Sequence, residues 1–311
     1  MLDVKRLRVL REVAARGSFS AAADSLSYTQ SAISQQIAAL EREAGAQLVE
    51  RSARGVRLTD AGAALVAHTD AILARLDAAE RELEAIAGLR GGHLRIVAFP
   101  SAAASLVPLA IAEFRRRHPA VELTLEPGEP EESIAALKAG ECDLALSLEA
   151  GFRPFEDEQV AKTILLDDPM FLVLAQDHPL AHKPNLSLED LAGEQWIQGT
   201  VGACPDTSIL LRACAAAGFE PRLAFQSDDY TAIQGFIAAG VGVALVPDLA
   251  LVSVRDDIVI RDLGPQAPAR RVFAATLSAG YQSPATAAML QILRDVGRAY
   301  AAGRRSLALA S

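Results

Sequence analysis

The sequence predicts three parts in series: an N-terminal all-α helix-turn-helix head carrying a small wing, a long linker helix, and an α/β body of two lobes. Three observations predict it. The first sixty residues show short helical periods broken by tight turns; Leu65 to Ile86 keeps a proline-free apolar repeat; and from His93 onward strand-like and helix-like segments alternate.

In the head, Val4 to Ala15 sets Leu7, Leu10 and Val13 at helical spacing, and Gly17 ends that helix. Ser18 or Ser20 caps a second helix, Ser20 to Leu26, because a hydroxyl there accepts a bond from an unpaired first-turn amide. Ser27, Tyr28 and Thr29 form the turn. A third helix, Gln30 to Glu43, buries Ala32, Ile33, Ile37 and Leu40 and turns Ser31, Ser34, Gln35 and Ala38 outward. Short polar groups on an outward face suit base edges in a major groove. Glu50 to Thr59 then carries Arg51, Arg54 and Arg57 around Gly55, a two-stranded wing whose guanidinium groups suit phosphates or a minor groove.

The linker seam is Leu65, Thr69, Ile72, Leu76, Ala79, Leu83 and Ile86, in alternating steps of four and three. Such a repeat buries itself against a second helix, so it predicts a dimer joint. Arg90-Gly91-Gly92 reads as a hinge. In the body, strands are expected at His93 to Pro100, Val121 to Leu125 and Asp143 to Leu148, with helices at Ser105 to His118 and Glu131 to Ala139. After a crossover near Lys162, strands Phe171 to Ala175, Gln195 to Gln198 and Val241 to Val246 form a second lobe with helices Ser208 to Ala217 and Thr231 to Ala239. Strand Arg271 to Leu277 and helix Pro284 to Ala301 return to the first lobe. The expected domains are 1–60, 61–90 and 91–311, the last divided into lobe I (about 91–162 and 268–305) and lobe II (about 163–267). Two such lobes leave a cleft at their strand ends, where small ligands bind.

Composition and charge narrow the function. The chain has 311 residues and net charge −9, unevenly spread: residues 1–60 carry nine basic and seven acidic side chains, net +2, and the remainder 21 and 32, net −11. A basic head on an acidic body fits a nucleic-acid-contacting tip. The N-terminus has no apolar signal core, and the apolar stretch Phe236 to Pro247 is 12 residues, short of a membrane span. A cytoplasmic location is expected, with no membrane partner. Cys142, Cys204 and Cys214 form no CxxC pair and the five histidines are scattered, so no metal or other cofactor is expected. Enzyme motifs of the G-x-S-x-G and H-E-x-x-H kinds are absent, and Gly240-Val241-Gly242 reads as a tight helix-to-strand turn, not a dinucleotide loop. The chain is not expected to be an enzyme. A stand-alone solute-binding protein would account for the body but not for the head or the seam.

The runs Phe19 to Ala23, Ser27 to Glu41, Leu48 to Arg51 and Leu58 to Gly62 closely resemble the winged helix-turn-helix of LysR-type transcriptional regulators. Phe114 to Pro119, Gly140 to Ala145, Asp177 to Leu180 and Ala238 to Pro247 resemble stretches of that family's effector domain, in order. The resemblance implies a periplasmic-binding-protein-like two-lobed effector domain and a regulator that binds double-stranded DNA and a small-molecule effector. It also implies a homodimer assembled into a tetramer on DNA, with effector binding altering DNA bending or contact with RNA polymerase. Gln30, Ser31, Ser34 and Gln35 then face DNA, with Arg51, Arg54 and Arg57 on the wing. Relatives commonly carry Pro at the position of Ser31 and Arg at that of Gln35, so their operator sequences do not transfer. The family's effector contacts fall on Ser101, Ala102, Gly128, Glu129, Ser147, Thr200, Val201 and Gln226. Ser101, at a strand end before a helix, would receive a carboxylate or cap that helix. Glu129 would disfavour a fully anionic effector. Peroxide-sensing relatives use a cysteine pair near the positions of Cys204 and Cys214, but no basic cluster that would lower a thiol pKa accompanies these two.

Overall fold

The computed structural model describes residues 2–52, 55–86, 92–200, 205–264, 267–279 and 282–308. The chain forms two compact units, one of Met1–Gly88 with Ala139–Glu141 and one of Leu89–Lys138 with Cys142–Ser311.

The first unit begins with helices α1 (Val4–Arg16), α2 (Phe19–Leu26) and α3 (Gln30–Ala44). Their ends follow the side chains: Asp3, Ser18 and Thr29 are N-caps accepting from the amides of Lys5, Ala21 and Ala32, and Gly17 and Gly45 close α1 and α3 in the left-handed region. Ser18 is thus the cap of α2, and the helix starts one residue before Ser20 because Phe19 is buried in the head core. That core is Leu7, Leu10, Val13, Ile33, Ile37 and Leu40 with their neighbours. Strands β1 (Val49–Ser52) and β2 (Gly55–Leu58) pair antiparallel as the wing. The wing is tied down twice: the Leu48 and Val49 amides donate to Glu41 Oε1 (2.9 and 3.3 Å), and the Val56 amide donates to Gly17 O (2.9 Å).

Helix α4 (Asp60–Ile86) follows. Its first half packs on α1, where Leu65 and Val66 join the head core and Thr69 is fully buried with its hydroxyl bonded to Leu65 O (2.7 Å). Thr69 is therefore covered within one chain, which corrects the expected seam at that position, and Leu65 is half-buried there. The exposed apolar positions begin at Ile72 and continue through Leu76 and Ala79. Leu83 and Ile86 lie on the helix, but their side chains are outside the described residues.

The second unit holds β3 (His93–Ala98), α5 (Pro100–Ala104), α6 (Leu106–Arg117), β4 (Glu122–Pro127), α7 (Pro130–Ala139), β5 (Leu144–Ala150), β6 (Val160–Ala175) and β7 (Gln195–Gln198). It continues with α8 (Pro205–Ala216), β8 (Arg222–Gln226), α9 (Tyr230–Ala238), β9 (Ala244–Pro247), β10 (Ile258–Arg261), β11 (Ala269–Leu277) and α10 (Pro284–Ala308). Strands β4, β3 and β5 are parallel, and β5, β11 and β6 continue the sheet antiparallel; the far half of β6 pairs instead with β9 and β10. The two lobes therefore share β6. A core of Leu94, Ile96, Phe114, Leu146 and Met289 with their neighbours lies under α6 and α10, and another, around Trp196, Leu172 and Ile209, fills lobe II.

Three departures from the sequence reading have local causes. The helix expected over Ser105 to His118 is α6, but a further short helix, α5, precedes it where the end of a strand was expected, and the break at Ser105 keeps Pro108 in the first turn of α6, where a missing N–H costs nothing. The crossover near Lys162 is itself strand: Val160 to Pro169 pairs with β11, so β6 runs 16 residues where only Phe171 to Ala175 was expected. Strand β8 has five exposed residues and no period-two burial to betray it. The Gly240-Val241-Gly242 turn is as expected: Gly240 has φ +73°, and a Cβ on Gly242 would lie 2.6 Å from Gln195 O.

Candidate functional site: a recognition helix and an acidic interlobe cleft

On the head, Gln30, Ser31 and Gln35 are exposed on α3 and Ser34 is half-buried, while Ile33, Ile37 and Leu40 opposite them are sealed in the core. The Ser31 and Thr29 hydroxyls lie 3.0 Å apart, so Ser31 also braces the cap of its own helix. Arg57 is exposed on β2. The Arg51 side chain and Arg54 fall outside the described residues.

The interlobe cleft is built around Arg270. In the register of β11 against β6, Arg270 faces Asp168 and Arg271 faces Asp167. Strand alternation sends the second pair outward, where Arg271 meets Asp167 at 2.8 Å in solvent, and the first pair inward. Inside, Arg270 Nε donates to Asp168 Oδ2 (2.9 Å), Nη1 to both carboxylate oxygens of Asp206 on α8 (2.9 and 3.1 Å), and Nη2 to Ser101 Oγ on α5 (2.6 Å). The guanidinium also lies 5.3 Å from the Phe99 ring centre. Arg270 and Asp168 are 1% and 0% exposed, so this pair is desolvated and holds only because its polar atoms are partnered. Asp168 accepts from the Leu249 amide as well (3.1 Å), and Asp206 from the Tyr230 hydroxyl (2.6 Å). Burial pushes the Asp168 carboxyl up from its ordinary value, opposed by the adjacent guanidinium.

Beside this network, Asp228 accepts from the amide and hydroxyl of Thr200 (both 2.7 Å), and Glu129 faces the same cavity from lobe I. Burial, followed by the charges of Asp228 and Asp206, raises the Glu129 carboxyl above its ordinary value. Ile197, Leu210, Ile233 and Leu245 supply apolar walls.

Of the eight effector positions expected, Ser101 and Glu129 line this cavity. Ser101 is not a helix cap; it lies inside α5 with its hydroxyl engaged by Arg270. Ala102 is fully buried in the lobe I core. Gly128 is a packing glycine, since a Cβ there would meet Val97 Cγ1 at 2.7 Å. Ser147 is buried, donates to Pro130 O (3.2 Å) and lines a neighbouring groove. Thr200 serves as a brace for Asp228, and Gln226 is exposed at the end of β8, outside the cavity lining. Val201 lies outside the described residues, as does Cys204. Burial pushes the Cys214 thiol up to about 11, the reverse of a reactive thiol. Arg270, Asp206, Asp228 and Tyr230 were not anticipated. The signal available was the pairing of Asp167-Asp168 with Arg270-Arg271, two like-charged doublets of opposite sign in strand-forming contexts.

A winged helix-turn-helix followed by a two-lobed α/β body with a cleft between its lobes defines a DNA-binding regulator with a ligand-binding domain. Residues 4–63 match the family model for bacterial regulatory helix-turn-helix proteins of the lysR family, and residues 87–298 match the LysR substrate binding domain. The chain belongs to the LysR family of transcriptional regulators. It is 31% identical over 294 residues, 94% of this chain and 97% of the other, to a probable HTH-type transcriptional regulator, LrrA, of Synechococcus elongatus. Among solved structures it resembles full-length CbnR complexed with its target DNA (TM-score 0.72, 22% identity, covering 95% of this chain and 100% of that one). It also resembles the regulatory domain of Synechocystis PCC6803 CcmR in complex with 2-PG (TM-score 0.59, 25% identity, covering 67% and 97%). No helix among the described residues is long and apolar enough to cross a membrane.

Proposed function

We propose that this regulator acts in the cytoplasm without catalysing a reaction, reading a DNA site through Gln30, Ser31, Ser34 and Gln35 of α3 and responding to a small effector held between its lobes. The observation that carries the reading is the two-sidedness of α3: an apolar face locked into the head and a face of short polar side chains left in solvent. Arg51, Arg54 and Arg57 of the wing contact the sugar-phosphate backbone. Residues 1–60 serve as the DNA-binding domain, 61–90 as the dimer joint and 91–311 as the effector domain. Two chains pair through Ile72, Leu76, Ala79, Leu83 and Ile86, and pairs of dimers span further half-sites. An effector that binds one arrangement of the lobes better than another shifts the population of DNA-competent assemblies.

The test is a salt-controlled titration of the full chain against the DNA upstream of its own coding sequence, with random duplex as competitor. Gln30→Ala is expected to lose about 1–3 kcal/mol of discrimination between the two DNAs. Arg57→Ala is expected to weaken binding to both alike and to flatten the salt dependence by about one unit of slope. Equal losses on both DNAs in both variants would refute the assignment.

Leu76→Asp places two carboxylates across the dimer seam, and sedimentation is expected to show the dimer weakened by about a hundredfold, or ~3 kcal/mol. An unchanged dimer would place the joint elsewhere.

A further inference from the structure

The chemistry of the interlobe cavity selects the charge of what it holds. Arg270 is the only cation among its described lining residues, and all three of its guanidinium nitrogens are engaged, by Asp168, Asp206 and Ser101. An incoming carboxylate would have to displace one of those partners, and displacing Asp206 would leave that carboxylate beside the ligand's own. Against the single guanidinium stand four carboxylates, those of Asp168, Asp206, Asp228 and Glu129. Two of these, Glu129 and Asp228, form no ion pair among the described residues; Asp228 is held by the neutral Thr200, no hydrogen bond reaches the Glu129 carboxylate, and the charge of Arg270 offsets only part of what burial and the neighbouring carboxylates do to it. Their mutual repulsion is what a bound positive charge would relieve.

The rest of the cavity suits a short apolar stem. Ile197, Leu210, Ile233 and Leu245 form its walls, with Tyr230 beside them. The cavity is small, about 40 Å³, where a single water requires about 10–15 Å³. A compact ammonium has three donors to share between two carboxylates and fits such a space better than a broad planar group.

We propose that the effector of this protein is a small primary amine, bound as its ammonium ion between Glu129 of lobe I and Asp228 of lobe II. The proposal rests on the reading of the cavity as the effector site and specifies its ligand class. Because the two carboxylates belong to different lobes, the ammonium ion bridges them and favours the closed cleft.

The test uses the full chain and three probes of matched size, butylammonium, butyrate and 1-butanol, at constant ionic strength. The readouts are thermal shift and the emission of Trp196, the sole tryptophan, which adjoins the wall residue Ile197. Butylammonium is expected to give a saturable emission change and to raise Tm, while butyrate and butanol give neither. Glu129→Gln and Asp228→Asn are each expected to weaken butylammonium by about tenfold, the loss of one charge-assisted hydrogen bond. Glu129→Gln is also expected to raise Tm slightly without a probe, since it removes an uncompensated charge; that measurement establishes that the variant folds. Saturable binding of butyrate in preference to butylammonium would overturn the amine while leaving the cavity as the effector site. Butylammonium binding that survives both substitutions, or no saturable response to it at all, overturns the assignment too. Site-specific DNA binding, measured separately, tells such a failure from a failure of the regulator reading.

Discussion

Arg270→Met is expected to destabilise the effector domain by about 3–5 kcal/mol, because it leaves Asp168, which is 0% exposed, without its counter-charge. The same substitution frees Asp206 and Ser101 from the contact that joins α8 to α5. The loss depends on pH in a defined direction. Asp168 already has a carboxyl raised by burial, and without the guanidinium it rises further. The native state then binds a proton that the unfolded chain gives up at ordinary carboxylate pH, so stability falls as pH climbs from the unfolded value toward the raised one. Denaturant titrations of Arg270→Met are expected to show the smallest deficit near the acid end of that window and the full deficit above it. Pairing Arg270→Met with Asp168→Leu is expected to recover much of the loss, since a buried pair replaced by apolar groups costs little. A variant as stable as the parent at neutral pH would show that the network does not hold the lobes.

Gly62→Ala is expected to disable the head while leaving the effector domain intact. A Cβ at Gly62 would stand 2.0 Å from Leu48 O and 3.2 Å from Leu58 Cδ2, both at the base of the wing. Moving backbone out of the way costs about 3 kcal/mol, a large part of what a unit of this size possesses. Calorimetry of the full chain is expected to show the head transition lowered by more than about 10 °C and the effector-domain transition unmoved. Specific DNA binding should fall with the first. A common shift of both transitions would mean that the two units unfold as one.

Much of this architecture was legible in the sequence because it is written in local chemistry. Thr29, Gly17 and the Ile33, Ile37, Leu40 stripe fix the helices of the head through capping and period alone. The cleft was legible in outline, through the strand end at Ser101 and the loop at Glu129, but its centre was not. Arg270 and Asp168 are 102 positions apart and meet only through the pairing of two long strands. Read locally, each belongs to a charged doublet that suggests surface, and only the register decides which member turns inward. The seam failed at Thr69 for a related reason, since a heptad does not say which partner covers it, and the head of the same chain covers Thr69 and part of Leu65.

The strand shared by the two lobes sets how any signal must move. Strand β6 is paired antiparallel with β11 from Val160 to Pro169 in lobe I, and with β9 and β10 from Met170 to Ala175 in lobe II. Sliding either half of it would tear several hydrogen bonds at once, so each half stays with its own lobe and the lobes can turn only where its partners change, between Pro169 and Met170. The lobes are consequently less like jaws on a free hinge than like two leaves bound to one spine.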